Sequence, residues 1–231
     1  MKIHRFIAPV DIFKDQIEIR DPELVHQINR VLKLEVGEQV LFGDGKGHEA
    51  LTVLETVSKS LVEARVLSHQ TNENEPEKRI TLCLAILKKD NFELAIQKAV
   101  ESGVWRIVPI LTERTVKIGI NSERIQTIIK EAAEQSGRGI LPELADMVSF
   151  EEAISRSVPE TTVLFDLSGD VFTPETSGKT EILFIGPEGG FTDAEVSMAR
   201  EKGCTISSLG MLTLRGETAA IIGTYRAVHS I

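Results

Sequence analysis

Two glycine-rich segments hold the residue types best suited to chemistry. The first is Ile185-Gly186-Pro187-Glu188-Gly189-Gly190-Phe191. Glycine has no Cβ, so main-chain N–H and C=O groups there can approach a ligand closely. Gly186 and Gly189 could meet a flat heterocycle or its ribose. Glu188 could accept hydrogen bonds from hydroxyls or balance a cation. An ordinary strand-to-helix turn would use the same residues. The second segment runs from Leu209-Gly210-Met211 to Leu214-Arg215-Gly216-Glu217-Thr218. Leu209, Gly210 and Leu214 offer apolar walls and bare main chain, which suit adenine recognition. A buried strand end followed by a helix start is the competing reading. Arg215, Glu217 and Thr218 cluster at a predicted helix N-terminus, where the helix dipole favours a phosphate or carboxylate. Thr218 as a plain cap, with Glu217 compensating the dipole, would explain the same residues.

Other charged residues have weaker claims. Gln135 and Arg138 are spaced to project from one helix face. Arg138, past the end of that helix, would also interact well with its dipole. Lys88-Lys89 precedes a helix carrying Glu93, Gln97 and Lys98, the pattern of a solvated face. Arg5, His26, Arg30, Lys33 and Lys46 are the visible cations of the first third. Together they could form a phosphate-contact patch. Neither G-x-G-x-x-G nor a Walker A sequence is present, nor any Cys/His cluster with zinc spacing. No Ser/His/Asp order competes as a catalytic site.

The elements that must position these residues change character near residue 70. Gln39 to Phe42, Glu49 to Glu55 and Leu61 to Leu67 read as strands, the first two joined by the turn Gly43 to Gly47. Pro22 to Leu32 reads as a short helix with Leu24, Ile28, Val31 and Leu32 on one face. This part is a small, mostly-β, barrel-like domain. Ser68 to Lys78 has almost no apolar residue and reads as a linker. Strands and helices then alternate. Predicted strands are Ile80–Leu87, Trp105–Ile110, Thr161–Phe165, Glu181–Ile185 and Thr205–Leu209. Predicted helices are Asp90–Ser102, Asn121–Gly137, Thr192–Lys202 and Glu217–Val228. Asp90 with Glu93, and Thr192 with Glu195, have capping-box spacing. Such alternation predicts a mostly parallel sheet with helices on its faces, and two glycine loops at the ends of neighbouring strands predict a small-molecule pocket.

Composition narrows the partners. The chain has 231 residues, an apolar fraction of 42% and a net charge of −9. An acidic total is the wrong sign for simple electrostatic binding of nucleic acid, so any such role needs a local basic face. Cys83 and Cys204 lie far apart, each in an apolar run, and read as reduced core thiols. No apolar segment is long enough to span a bilayer, and the N-terminus lacks a signal segment. These features predict a cytoplasmic protein.

The chain resembles the ribosomal RNA small subunit methyltransferase E family of the SPOUT class. Matching stretches, in the family's order, are Arg5, His26 to Lys33, Phe42 to Gly47, Lys88 to Pro109, Glu131 to Pro142, Ile185 to Glu195 and Leu209 to Ala219. The most specific are Gly186-Pro187-Glu188-Gly189-Gly190 with Leu214-Arg215-Gly216-Glu217-Thr218-Ala219. The resemblance implies a PUA-like β-barrel over residues 1–72 that helps hold RNA. It implies an α/β methyltransferase domain over residues 78–231 with a deep trefoil knot, S-adenosyl-L-methionine as cofactor and a homodimer. The implied reaction is methylation of uridine N3 in 16S rRNA of the small ribosomal subunit, without metal. Implied site roles are catalysis by Arg215, Glu217 and Arg138, and RNA contact by Arg5, Arg30 and Lys33. Gly186, Glu188, Gly189, Leu209, Gly210 and Leu214 would bind cofactor. Leu212 stands where the family often carries an arginine, and the basic loop after Thr115 is reduced to Arg114 and Lys117. A different target atom, or a non-catalytic RNA-binding assembly protein, are the alternatives.

Overall fold

The computed structural model describes residues 3–88, 90–116, 119–158, 161–174 and 180–231. It separates into two compact units, Met1–Glu75 with Ala133–Leu141, and Pro76–Ala132 with Pro142–Ile231. Lys89 and Lys117 lie outside the described residues.

The first unit contains β1 (His4–Ile7), β2 (Gln16–Ile19), α1 (Pro22–His26), β3 (Gln39–Gly43), β4 (His48–Val57) and β5 (Val62–Thr71). The strands pair in the order β1-β3-β4-β5-β2, antiparallel except for β1 against β3. Phe6, Ile17, Ile19, Val40, Phe42, Leu54 and Val62 form its core with Leu24 and Ile28. Asp21 caps α1 by accepting the Leu24 amide at 2.8 Å. The helix then widens into a π-helical turn over Gln27–Val31. Such a turn carries more residues than an α-turn, so the 3.6-residue spacing stops predicting burial. Ile28 is buried, but Val31 is 63% exposed instead of facing the core.

The tract read as a linker is ordered by polar contacts. Ser68 to Thr71 continue β5 alongside β4. Asn72 donates to Glu49 Oε1 at 2.8 Å and to the Gly137 carbonyl at 3.1 Å. Glu75 accepts the amides of Gly139 and Ile140 at 3.0 Å each and pairs with Arg138 at 2.8 Å. Low hydrophobicity here reflects hydrogen-bonding duty, because buried main-chain groups need partners.

The second unit contains β6 (Arg79–Ala85), α2 (Asn91–Glu101), β7 (Arg106–Leu111), α3 (Ser122–Ser136), β8 (Glu143–Leu144), β9 (Val148–Ser149) and α4 (Phe150–Ser155). It continues with β10 (Thr162–Val171), β11 (Thr180–Ile185), α5 (Asp193–Glu201), β12 (Thr205–Ser208) and α6 (Gly216–His229). Residues of α3 from Ala133 onward count with the first unit. The sheet order is β12-β10-β11-β6-β7-β8, with β9 also on β7, and every pairing is parallel. Cys83, Ala85, Leu164 and Phe184 share one core cluster with Phe150 and Ile154 of α4 and Val196 and Ala199 of α5. Leu82 and Leu84 alternate with Cys83 and Ala85, so they face the other way. On that side α2 and α6 pack together, with α6 on β6 and β11. Both thiols are free and buried, and burial pushes Cys83 up to about 12. Thr192 and Glu195 complete a reciprocal capping box. Asp90 makes no side-chain cap, and its expected partner Glu93 pairs with Arg124 at 3.3 Å instead.

Glu49 anchors a buried charge cluster in the first unit. Glu49 is 1% exposed and accepts from Arg5 at 2.7 Å, Asn72 at 2.8 Å and Gln70 at 2.9 Å. Burial alone would raise its carboxyl, but these hydrogen bonds win and hold it below the usual 4.5. A lowered folded-state value contributes stability above the unfolded value and loses it as pH falls through the folded one. Wild-type stability, measured by urea denaturation, should therefore fall as pH drops below about 4.5. Glu49→Gln should flatten that dependence and cost about 3 kcal/mol at neutral pH, because it leaves Arg5 unpaired.

Candidate functional site

The expectation of neighbouring strands needs correction. The glycine loops follow β11 and β12, and β10 lies between those strands. The end of β10 therefore enters the site. Its Phe165 pairs with Ser207 before a shift in register, and Asp170 pairs with Ser207 after it. Residues 166–169 are left to bulge at the strand ends, where ligands collect in parallel sheets.

A cavity of about 310 Å³ opens among these three strand ends. Gly186, Glu188, Gly189, Leu209 and Leu214 line it, together with Phe165, Asp166, Leu167 and Arg114. Gly210 is not among the lining residues, but its φ of +133° makes glycine the residue that allows the bend there. Asp166, Leu167 and Arg114 carried no site expectation. Their signal was positional, because each follows a predicted strand whose end lies at the same edge as the glycine loops.

The first glycine loop is anchored at several points. Phe191 is 4% exposed and packs on Phe150, with ring centroids 5.4 Å apart. Glu188 Oε1 accepts the Lys88 amide at 2.8 Å, tying this loop to the segment after β6. One of its oxygens is thus committed to the protein's own main chain. Arg114 Nη1 donates to the carbonyls of Gly189 at 2.7 Å and Phe191 at 3.1 Å. Glu195 Oε1 accepts the Glu113 amide at 2.9 Å.

The second loop leads into α6, whose cap position is Arg215 rather than Thr218. Arg215 is exposed, and its side chain makes no capping hydrogen bond. Glu217 is 7% exposed, and its Oε2 has no hydrogen-bond partner among the described residues. A buried carboxylate oxygen left unpaired is costly, so such a group is a candidate for service to a ligand. In the second loop, Leu212 and Met211 are 78% and 97% exposed.

The remaining expected residues lie in the first unit. Arg138 is 4% exposed and engaged by Glu75, while Gln135 is exposed. Gly137, at φ +83°, ends the helix between them, so helical spacing no longer relates the two. Arg5 is engaged by Glu49. Arg30 and Lys33 are exposed on the π-helical turn and just after it. Among the described residues no His/Cys/Asp/Glu group could hold a metal ion.

Comparison with known proteins adds to this geometry. A family described as "RNA methyltransferase domain" matches residues 73–226, and one described as "RNA methyltransferase PUA domain" matches residues 20–67. Ribosomal RNA small subunit methyltransferase E of Synechocystis sp. is 33% identical over 94% of this chain and 74% of its own. The Bacillus subtilis protein of the same name is 30% identical over 92% and 91%. The crystal structure of the Neisseria gonorrhoeae protein of that name, bound to S-adenosyl methionine, has a TM-score of 0.88 at 30% identity. It covers 96% of this chain and 95% of its own.

The start of α6 is packed tightly under the cavity. A Cβ on Gly216 would stand 2.7 Å from Leu87 Cδ2, and Leu87 is fully buried. Gly216→Ala should cost about 1–3 kcal/mol in denaturant unfolding, because the buried Leu87 side chain would have to shift. Stability equal to wild type would show that this contact yields.

Proposed function

The chain belongs to the ribosomal RNA small subunit methyltransferase E family, and we propose that its cavity presents a methyl donor to N3 of a uridine in 16S rRNA. It is an S-adenosylmethionine-dependent rRNA methyltransferase with a PUA-like first unit and a SPOUT-type α/β second unit. The observation that carries the site assignment is a cavity lined by Gly186, Gly189 and Gly216 together with Leu209, Leu212 and Leu214.

These walls suit the cofactor. Leu209, Leu212 and Leu214 offer apolar surface to a purine, and Asp166 can accept from hydroxyls or balance a positive sulfur. Glycine at 186 and 189 keeps side chains out of its way. Bound there, the cofactor would supply an electrophilic methyl group, with S-adenosylhomocysteine as its leaving group.

The protein's own residues must handle the uracil proton. N3–H is a weak acid, and its nitrogen attacks only when the proton departs. We assign Glu217 as the acceptor of that proton, or as the group that orients Arg215. Its buried, unpartnered oxygen supports either role. Arg215, exposed and beside Leu214, would stabilise the uracil anion or the adjacent phosphate. Arg138 was expected to complete the site. Its engagement with Glu75 favours a structural role, holding residues 137–140 in the first unit. Arg30 and Lys33 are the cations we assign to RNA phosphates. Arg5 holds Glu49 through Nε and Nη2, so any RNA contact from it would fall to Nη1.

The exposed apolar residues Met211, Leu212, Ile222 and Tyr225, on the last loop and α6, support pairing of two copies. No helix among the described residues is long and apolar enough to cross a membrane, and we place the enzyme in the cytoplasm with its rRNA.

Arg215→Ala should abolish methylation of unmodified small subunits, scored by nucleoside mass spectrometry, while calorimetry still detects cofactor binding. Turnover equal to wild type would remove Arg215 from the mechanism. RNA affinity should fall steeply with salt, and Arg30→Ala or Lys33→Ala should each flatten the log–log slope by roughly 0.7 to 0.9. A slope unmoved by either change would exclude those two phosphate contacts.

A further inference from the structure

We infer that Arg114 and Glu195 act as one positioning pair that holds the first glycine loop in its cofactor-binding shape. The inference rests on the assignment of the cavity to S-adenosylmethionine. A loop rich in glycine has many accessible shapes, so something must select one. Two peptide planes show how the selection is made.

The plane between Gly189 and Gly190 is held at both ends. Its carbonyl accepts from Arg114 Nη1 at 2.7 Å, and its N–H donates to the Pro187 carbonyl at 2.8 Å. The plane between Phe191 and Thr192 is held in the same way. Its carbonyl accepts from the same Nη1 at 3.1 Å, and its N–H donates to Glu195 Oε2 at 2.8 Å. The other oxygen of Glu195 accepts the Glu113 amide at 2.9 Å. The carboxylate that fixes Thr192 therefore also fixes the residue just before Arg114.

These bonds form a closed circuit from Glu195 through Glu113 and Arg114 to the loop carbonyls, and back through Thr192. One nitrogen serves two carbonyls, so losing Arg114 frees one end of both planes together. Gly189 is part of the fit, because a Cβ there would lie 3.3 Å from Arg114 Cδ. Glu195 is 5% exposed, so its carboxylate meets these donors with little competition from water. The strand-end turn that carries Arg114 is itself closed, with the Thr115 amide donating to the Thr112 carbonyl at 3.1 Å. Neither side chain has to touch the reacting atoms. A loop freed from the clamp spends part of its time in shapes that do not bind, and apparent affinity falls by that fraction.

The test is calorimetry with S-adenosylmethionine on the full chain, with melting temperature and steady-state kinetics in parallel. Wild-type binding is the reference, and its absence would count against the cavity assignment rather than the clamp. Arg114→Ala should raise Kd roughly 10- to 100-fold, with the loss larger in the cofactor KM than in kcat. Arg114→Lys, which can serve one carbonyl, should fall between. Because Arg114 is exposed, the melting temperature should stay within about 2 °C of wild type. Glu195→Gln should also raise Kd, and the double variant should bind about as well as the weaker single variant, as expected for two parts of one device. The inference is overturned if Arg114→Ala binds within about twofold of wild type, or if the two effects simply add. It is likewise overturned if lost affinity only tracks a lower melting temperature.

Discussion

Every strand of the second sheet runs the same way, so its unpaired main-chain ends collect along one edge. This constraint shapes the site. Main-chain groups there cannot be left buried and unpaired, and among the described residues no hairpin returns to satisfy them. The protein meets the demand with side chains. Arg114 takes the carbonyls of Gly189 and Phe191, Glu195 takes the amides of Thr192 and Glu113, and Glu188 takes the amide of Lys88. What these contacts leave free at the edge is available to a ligand. The cavity is thus a consequence of parallel pairing, with glycine keeping the walls thin.

The first unit solves a related problem with one buried and one half-buried acid. Glu49 and Glu75 are neither surface charges nor catalysts in this structure. Each is a multiple acceptor, the one gathering Arg5, Gln70 and Asn72, the other Arg138 and the amides of Gly139 and Ile140. Their positions explain why a polar tract can be part of a folded body. They also show how an acidic protein can act on RNA. Of its 35 acidic residues, some are spent inward as hydrogen-bond acceptors, and cations such as Arg30 and Lys33 remain at the surface.

Much of the second unit could be read from periodicity. The apolar run at Ile80 became a strand buried on both faces, and Thr192 with Glu195 became a capping box. Local rules failed where a competing geometry intervened. The π-helical turn displaced Val31 from the core, and Asp90 left its helix uncapped while Glu93 paired elsewhere. The short elements β1, β2, β8, β9 and α4 were too brief to impose a period.

By itself the sequence determined the alternation of strands and helices, the two glycine loops and the family they mark. These are local properties, set by residue type and by spacing over a few turns. Only the tertiary structure decided that β10 lies between the loop-bearing strands, which brings Asp166 and Leu167 into the cavity. It alone decided that Arg114 faces Gly189 across 75 residues of sequence, and that Arg138 is taken by Glu75 across 63. Strand order and ion-pair partners depend on how distant segments meet, and pattern along one chain carries no record of that.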